Sequence, residues 1–92
     1  MRAVSFDSIF ESASLEFNFI RVELQTGLTF SKSALGSRYQ ERRDRNQAQA
    51  RRAYDALLYF IPKSSLTNDE SKMIVSGLAR LKSELQQLGE AI

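Results

Sequence analysis

Residues 15–30 read LEFNFIRVELQTGLTF, and this stretch decides how the chain packs. Half of these residues are large and apolar, and at 100° per residue they fall on two opposite sides of one helix. The first side continues along the chain as Phe10, Ala13, Phe17, Ile20, Leu24, Leu28 and Leu35. The second side carries Leu15, Phe19, Val22 and Phe30. A helix that is apolar on both sides needs a cover on both sides.

Start and stop signals divide the chain into three helices, over about 8–35, 38–61 and 68–90. Three pairs have the spacing of a capping box, in which each side chain bonds the other residue's N–H: Ser8 with Glu11, Ser37 with Gln40, and Thr67 with Glu70. Gly36 is placed as a C-terminal glycine cap, and Pro62 ends the second helix because it lacks an N–H. An alternative puts the first turn in the polar stretch at 40–47.

The second and third helices each have one apolar face. That of the second helix comprises Tyr39, Ala50, Ala53, Tyr54, Leu57 and Ile61. The third helix has a narrow heptad-like stripe of Ile74, Leu78, Leu81, Leu85, Leu88 and Ile92, opposite an exposed side that includes Arg80 and Glu90. The sequence therefore predicts one all-α domain, an antiparallel three-helix bundle, with a flexible N-terminal segment over residues 1–7.

Two arrangements satisfy the two-sided first helix. In one, it is a middle layer with helix two on one side and helix three on the other. In the other, both helices cover the first side, and Leu15, Phe19, Val22 and Phe30 meet another protein. We favour the second, with a homodimer as the default partner, because the stripe of helix three is too narrow to cover a second face.

The composition excludes several classes of function. The chain of 92 residues has no cysteine and no histidine, which removes disulfides, thiolate metal sites and the usual general base. Glu16 and Glu23 lie seven residues apart on one edge of helix one, but carboxylate-bridged metal bundles also need histidines. We expect no enzyme, no cofactor and no metal site.

The sequence also predicts a cytoplasmic protein without a membrane span. The absence of cysteine fits this compartment, and the N-terminus lacks the continuous apolar stretch of a signal peptide. The longest apolar run, residues 56–61, is much shorter than the ~20 residues that cross a bilayer.

Arginines form a ridge along helix two, beside its apolar face. Arg38, Arg42, Arg45 and Arg52 are spaced by four, three and seven residues, which keeps them on one side. The ridge either is a solvated face, partly paired with Glu11, Glu16 and Glu23 of helix one, or contacts the phosphates of a nucleic acid or other polyanion. We favour the solvated face and keep polyanion binding as the alternative.

One segment resembles a known family. Leu35-Gly36-x-x-Tyr39, followed by Ala50, Tyr54, Leu57 and Pro62, resembles the pattern of a tetratricopeptide hairpin over residues 35–62, although Lys32 stands at the tryptophan position. This resemblance implies a protein-interaction role. GLTF at 27–30 with ARRAYD at 50–55 is also similar to small bacterial helical proteins and implies no particular activity. We therefore expect a non-enzymatic interaction or scaffolding domain.

Overall fold

The computed structural model describes the backbone of residues 4–92 and the side chains of residues 15–92. Its helices are α1 (Val4–Leu35), α2 (Gln40–Phe60) and α3 (Asn68–Gln87), with a 3₁₀ turn over Ile61–Lys63. Each helix packs against the other two. The predicted all-α three-helix bundle is therefore confirmed.

The start of α1 differs from the prediction. The helix begins at Val4 and runs through Ser8, so Ser8 is not its N-cap. The side chains of Phe10, Glu11 and Ala13 lie outside the described part of the chain. The flexible segment expected over residues 1–7 includes residues 1–3, which lie outside the described part of the chain. This expectation therefore stays a prediction.

The first turn lies where the glycine signal placed it, between Leu35 and Gln40, rather than at 40–47. Its detailed caps differ from the prediction. Gly36 keeps a negative φ, and its N–H bonds the carbonyl of Lys32 as in a continuing helix. The N-cap of α2 is Tyr39, which makes no side-chain cap. The predicted Ser37–Gln40 capping box does not form, because the Ser37 hydroxyl bonds the backbone of Tyr39 instead.

The caps of α3 follow the sequence more closely. The Thr67 hydroxyl accepts from the Glu70 N–H at 3.1 Å, and the Glu70 carboxylate accepts from the Thr67 N–H at 3.0 Å. The predicted capping box is therefore confirmed. The helix ends earlier than predicted because Gly89 has φ +103°, and the Glu90 N–H bonds the carbonyl of Leu85 at 3.0 Å, a Schellman motif.

Both α2 and α3 cover the first side of α1, so the middle-layer arrangement is wrong. The clearest evidence is at Gly27, where a Cβ would lie 3.1 Å from the Cβ of Ala53 on α2 and 2.7 Å from Leu81 Cδ2 on α3. The buried side of α1 comprises Ile20, Leu24, Gly27, Ser31 and Ala34. Leu35, predicted on this side, is exposed.

The apolar faces predicted for the other two helices complete the core. On each of these helices, the burial of one residue differs from the prediction. On α2, Ala50, Ala53, Tyr54 and Leu57 are buried, whereas Tyr39 is exposed. On α3, the stripe from Ile74 to Ile92 packs into the core, but Glu90 is half-buried rather than on the exposed side. Ser31 is fully buried and donates hydrogen bonds to the Leu28 carbonyl and to the carboxylate of Glu84 on α3.

Candidate functional site

Large apolar side chains are exposed where the outer side of α1 meets the end of α2. On α1, Leu15 is 67%, Phe19 52% and Val22 54% exposed. On α2, Tyr59 is 57% and Phe60 39% exposed. We call these five residues the aromatic surface. Three of them belong to the interface predicted from the sequence.

The rings of the aromatic surface are packed against each other across the two helices. Phe19 and Phe60 meet edge to face, with ring centroids 5.3 Å apart. Tyr59 and Phe60 have the same geometry at 5.0 Å. The Lys63 ammonium lies 4.1 Å above the centroid of the Tyr59 ring. These contacts hold the rings in a defined arrangement. About half of the surface of each ring nevertheless remains in contact with water.

Phe30, the fourth residue of the predicted interface, has a different place. It is half-buried and packs against the core cluster of the bundle. The sequence reasoning grouped Phe30 with Leu15, Phe19 and Val22 by wheel angle alone. The interface predicted from the sequence also did not include Tyr59 and Phe60, because they lie outside the apolar face of helix two. Their signal was the run ALLYFI at 56–61, which continues around the helix and not only along one face.

Opposite charges lie on the two sides of Tyr59 along the chain. Asp55 precedes Tyr59 by four residues, and Lys63 follows it by four. Both side chains are exposed. The Asp55 carboxylate also pairs with Arg51 at 3.0 Å on its own helix. Tyr59 therefore lies between a carboxylate, which is paired with Arg51, and the ammonium group of Lys63.

The arginine ridge of Arg38, Arg42, Arg45 and Arg52 is exposed along its whole length. Among the described side chains, no carboxylate lies within ion-pair distance of any of its four guanidinium groups. Arg42 lies over the Tyr39 ring at 5.6 Å, and Arg52 donates to Gln49 at 3.4 Å.

The glutamates of α1 do not pair with this ridge in the described part of the chain. Glu16 accepts a hydrogen bond of 2.9 Å from the Ser65 N–H in the loop before α3, so it fixes that loop to α1. Glu23 is half-buried. The side chain of Glu11 is not among those described. No group of three or more acidic side chains that would hold a metal ion occurs over residues 15–92.

Arg43 and Asn46 lie close to the first turn. Arg43 Nη2 donates to the Ser37 carbonyl at 3.0 Å, and its buried Nε has no partner. Asn46 lines a shallow depression together with Ser33, Ser37 and Arg42. Arg43 therefore binds the backbone of the first turn rather than a side chain of α1.

A further charged cluster fixes the C-terminal segment to α2. The Glu90 carboxylate accepts from Gln47 and from Arg51, both at 2.6 Å. The hydrogen bond from Gln47, followed by that from Arg51, lowers the pKa of Glu90, although partial burial opposes the shift. Hydrogen bonds to Asp55 and then Glu90 raise the pKa of Arg51 further. This cluster has a structural explanation, because it joins the end of α3 to α2.

Comparison with models of protein families, with curated proteins and with solved structures finds no match to this chain. The resemblance to a tetratricopeptide hairpin over residues 35–62 therefore stays a prediction. Within the described residues, none of the helices combines the length and the apolar character that crossing a membrane requires.

Proposed function

We propose that this protein is a non-enzymatic interaction domain that associates with a second copy of itself through the aromatic surface. The observation that supports this is the exposure of Phe19, Tyr59 and Phe60, in which Phe60 contacts Phe19 across α1 and α2 and Tyr59 on its own helix. Exposed apolar patches of this kind on a folded domain usually mark an interface.

The area of the aromatic surface is sufficient for a dimer. A fully buried aromatic side chain removes about 150–250 Å² from water, so the three half-exposed rings offer about 300 Å² per copy, and the smaller Leu15 and Val22 bring this to about 450 Å². A symmetric pair would bury about 900 Å² of apolar surface. Since apolar atoms make up about 60% of an interface, its total area comes to about 1,500 Å², within the range of stable complexes.

A second copy of the chain is the partner that matches the aromatic surface in charge and in the positions of its apolar side chains. In a symmetric dimer the same patch meets itself, so residues on either side of the two-fold axis exchange places. An axis at Phe19 and Tyr59, with the helices of the two copies antiparallel, brings Asp55 of one copy opposite Lys63 of the other. The same axis brings Leu15 opposite Val22, since these precede and follow Phe19 by four and three residues. The surface is therefore complementary to itself.

The first test is Phe19→Asp, measured by sedimentation equilibrium and circular dichroism. We expect the wild-type chain to be a dimer and the variant a monomer with unchanged helix content, because Phe19 is half exposed and contributes little to the core. Val75→Asp is the matched control: Val75 is 56% exposed on α3, away from the aromatic surface, and its variant should stay dimeric. A wild-type chain that is monomeric at high concentration would refute the proposal.

A charge exchange tests the antiparallel geometry and does not depend on Phe19. Lys63→Asp should weaken the dimer, because like charges would then face each other near the axis. The double variant Asp55→Lys with Lys63→Asp should restore it, since opposite charges meet again. Equal weakening in the single and double variants would contradict this register.

A further inference from the structure

We infer that the arginine ridge binds the sugar–phosphate backbone of double-stranded nucleic acid, an activity separate from self-association. Arg38 lies in the turn before α2, and Arg42 and Arg45 lie in the first two turns of that helix, whereas Tyr59 and Phe60 of the aromatic surface lie at its other end. The helix rises about 21 Å from Arg45 to Tyr59 and about 10.5 Å from Arg52 to Tyr59. Arg38, Arg42 and Arg45 are therefore far enough from the aromatic surface to act independently of it.

The first argument is the availability of the guanidinium groups. Each arginine of the ridge is exposed, and none of them pairs with a described carboxylate. By contrast, Arg51, which points to another side of α2, is taken up by Asp55 and Glu90. The arginine fork matches two oxygens of a phosphate, so an unpaired row of such groups is suited to a polyanionic backbone.

The second argument is the polar depression at the end of the ridge. Ser37, Arg38, Arg42 and Asn46 line it, beside the first turn of α2. Tyr39 gives that turn no side-chain cap, so the first N–H groups of α2 lack this partner. The guanidinium groups of Arg38 and Arg42 and the amide of Asn46 thus lie next to the helix N-terminus, whereas the Ser37 hydroxyl already donates to the Tyr39 carbonyl. Glu41 lies beside Arg42 and Arg45, and Asp44 lies between these arginines in the sequence and accepts from Gln40, so two carboxylates among the four arginines leave a net charge of +2.

The third argument favours a duplex over a single strand. Binding of single strands relies on aromatic side chains that stack on the bases. Tyr39 is the one aromatic residue within the ridge, and the Arg42 guanidinium lies over its ring at 5.6 Å, so the ridge offers no series of free rings for successive bases. The DNA major groove admits an α-helix, which brings a row of guanidinium groups along one side of α2 to the phosphates at the rim of the groove.

The test is fluorescence anisotropy of a mixed-sequence DNA duplex with the full chain over a series of salt concentrations. Four phosphate contacts predict a log–log salt slope of about −3 to −4, at ~0.9 per contact. Arg42→Gln with Arg45→Gln should weaken binding about tenfold at low salt and reduce the slope by about 2. Lys72→Gln with Lys82→Gln is the matched control. It removes the same charge from exposed positions on α3 and should leave the slope nearly unchanged.

Three results would overturn the inference. The wild-type chain could fail to bind the duplex even at low salt. The control pair could lose as much binding as the ridge pair, which would mean that net charge alone governs binding. A single strand of equal length could bind more tightly than the duplex. Phe19→Asp should retain the salt slope per chain, so loss of the dimer and loss of the ridge are separable. Circular dichroism of each variant checks that it is folded.

Discussion

Gly27 is a point where α1 approaches both other helices closely, and replacing it by alanine tests the geometry of the bundle. An added Cβ would lie 3.1 Å from the Cβ of Ala53 and 2.7 Å from Leu81 Cδ2. The Ala53 Cβ has no rotamer by which to move away. Leu81 has no exposed surface, so its methyl group is also held by neighbours. The helices must therefore separate to admit one methyl group.

The magnitude follows from two opposing effects. Overpacking of a close-packed core costs about 1–3 kcal/mol, and this site is at the upper end because one of the contacts is rigid. Replacing glycine by alanine inside a helix stabilises by about 1 kcal/mol through the unfolded chain and the helix propensity. The net expectation for Gly27→Ala is a loss of about 1–2 kcal/mol in the free energy of unfolding.

Gly36→Ala provides the matched control with the opposite sign. A Cβ at Gly36 would meet only the Lys32 carbonyl oxygen at 3.5 Å, an ordinary contact, and φ is not in the left-handed region. We expect Gly36→Ala to stabilise by about 0.4–1 kcal/mol. Thermal unfolding of both variants, at one protein concentration, should give melting temperatures that differ by roughly 10 °C or more. If Gly27→Ala is as stable as Gly36→Ala, the close approach of the helices is refuted.

Two further predictions concern the end of α3. Glu90→Gln should destabilise by about 1 kcal/mol at neutral pH, because a charged acceptor is lost to Gln47 and Arg51. Since folding lowers the pKa of Glu90, this stabilisation is present above the unfolded pKa and disappears as the pH falls through the folded one. Urea unfolding at a series of pH values should show the two proteins converging in acid, and a constant difference would contradict the assignment. Gly89→Ala should cost about 1–2 kcal/mol, since alanine is strained at φ +103°, and an unchanged urea midpoint would refute this.

Much of the fold could be predicted from local chemistry. Thr67 with Glu70 places the start of α3, and Pro62 ends α2 at Phe60 by leaving only a 3₁₀ turn. These signals depend on neighbours three or four residues away, so they are complete in the sequence. The buried side of α1 was harder, because Gly27, Ser31 and Ala34 are small or polar and give no hydrophobic signal. They are buried because the helices approach closely there.

The charged contacts and the aromatic surface could not be predicted from the sequence, because they depend on how the helices pack against each other. Glu90 follows the end of α3, and only the turn at Gly89 brings it to Gln47 and Arg51. The hydrophobic periodicity of the sequence does not indicate such a contact. In the same way, Phe60 lies beside Phe19 only because α2 runs antiparallel to α1. The wheel predicted which α1 residues face outward but not which residues of α2 would join them.

The size of the side chains in the core argues that the aromatic surface is not a by-product of folding. Between the large aliphatic side chains of the core, the small residues Gly27, Ala34, Ala50 and Ala53 allow close helix contacts. Among the described aromatic side chains, Tyr54 alone is buried. A domain this small needs apolar burial for stability, and large rings supply more of it than alanine does. Leaving the rings of Phe19, Tyr59 and Phe60 about half in water therefore gives up stability in the isolated chain. The proposed second copy would return that burial by covering the rings.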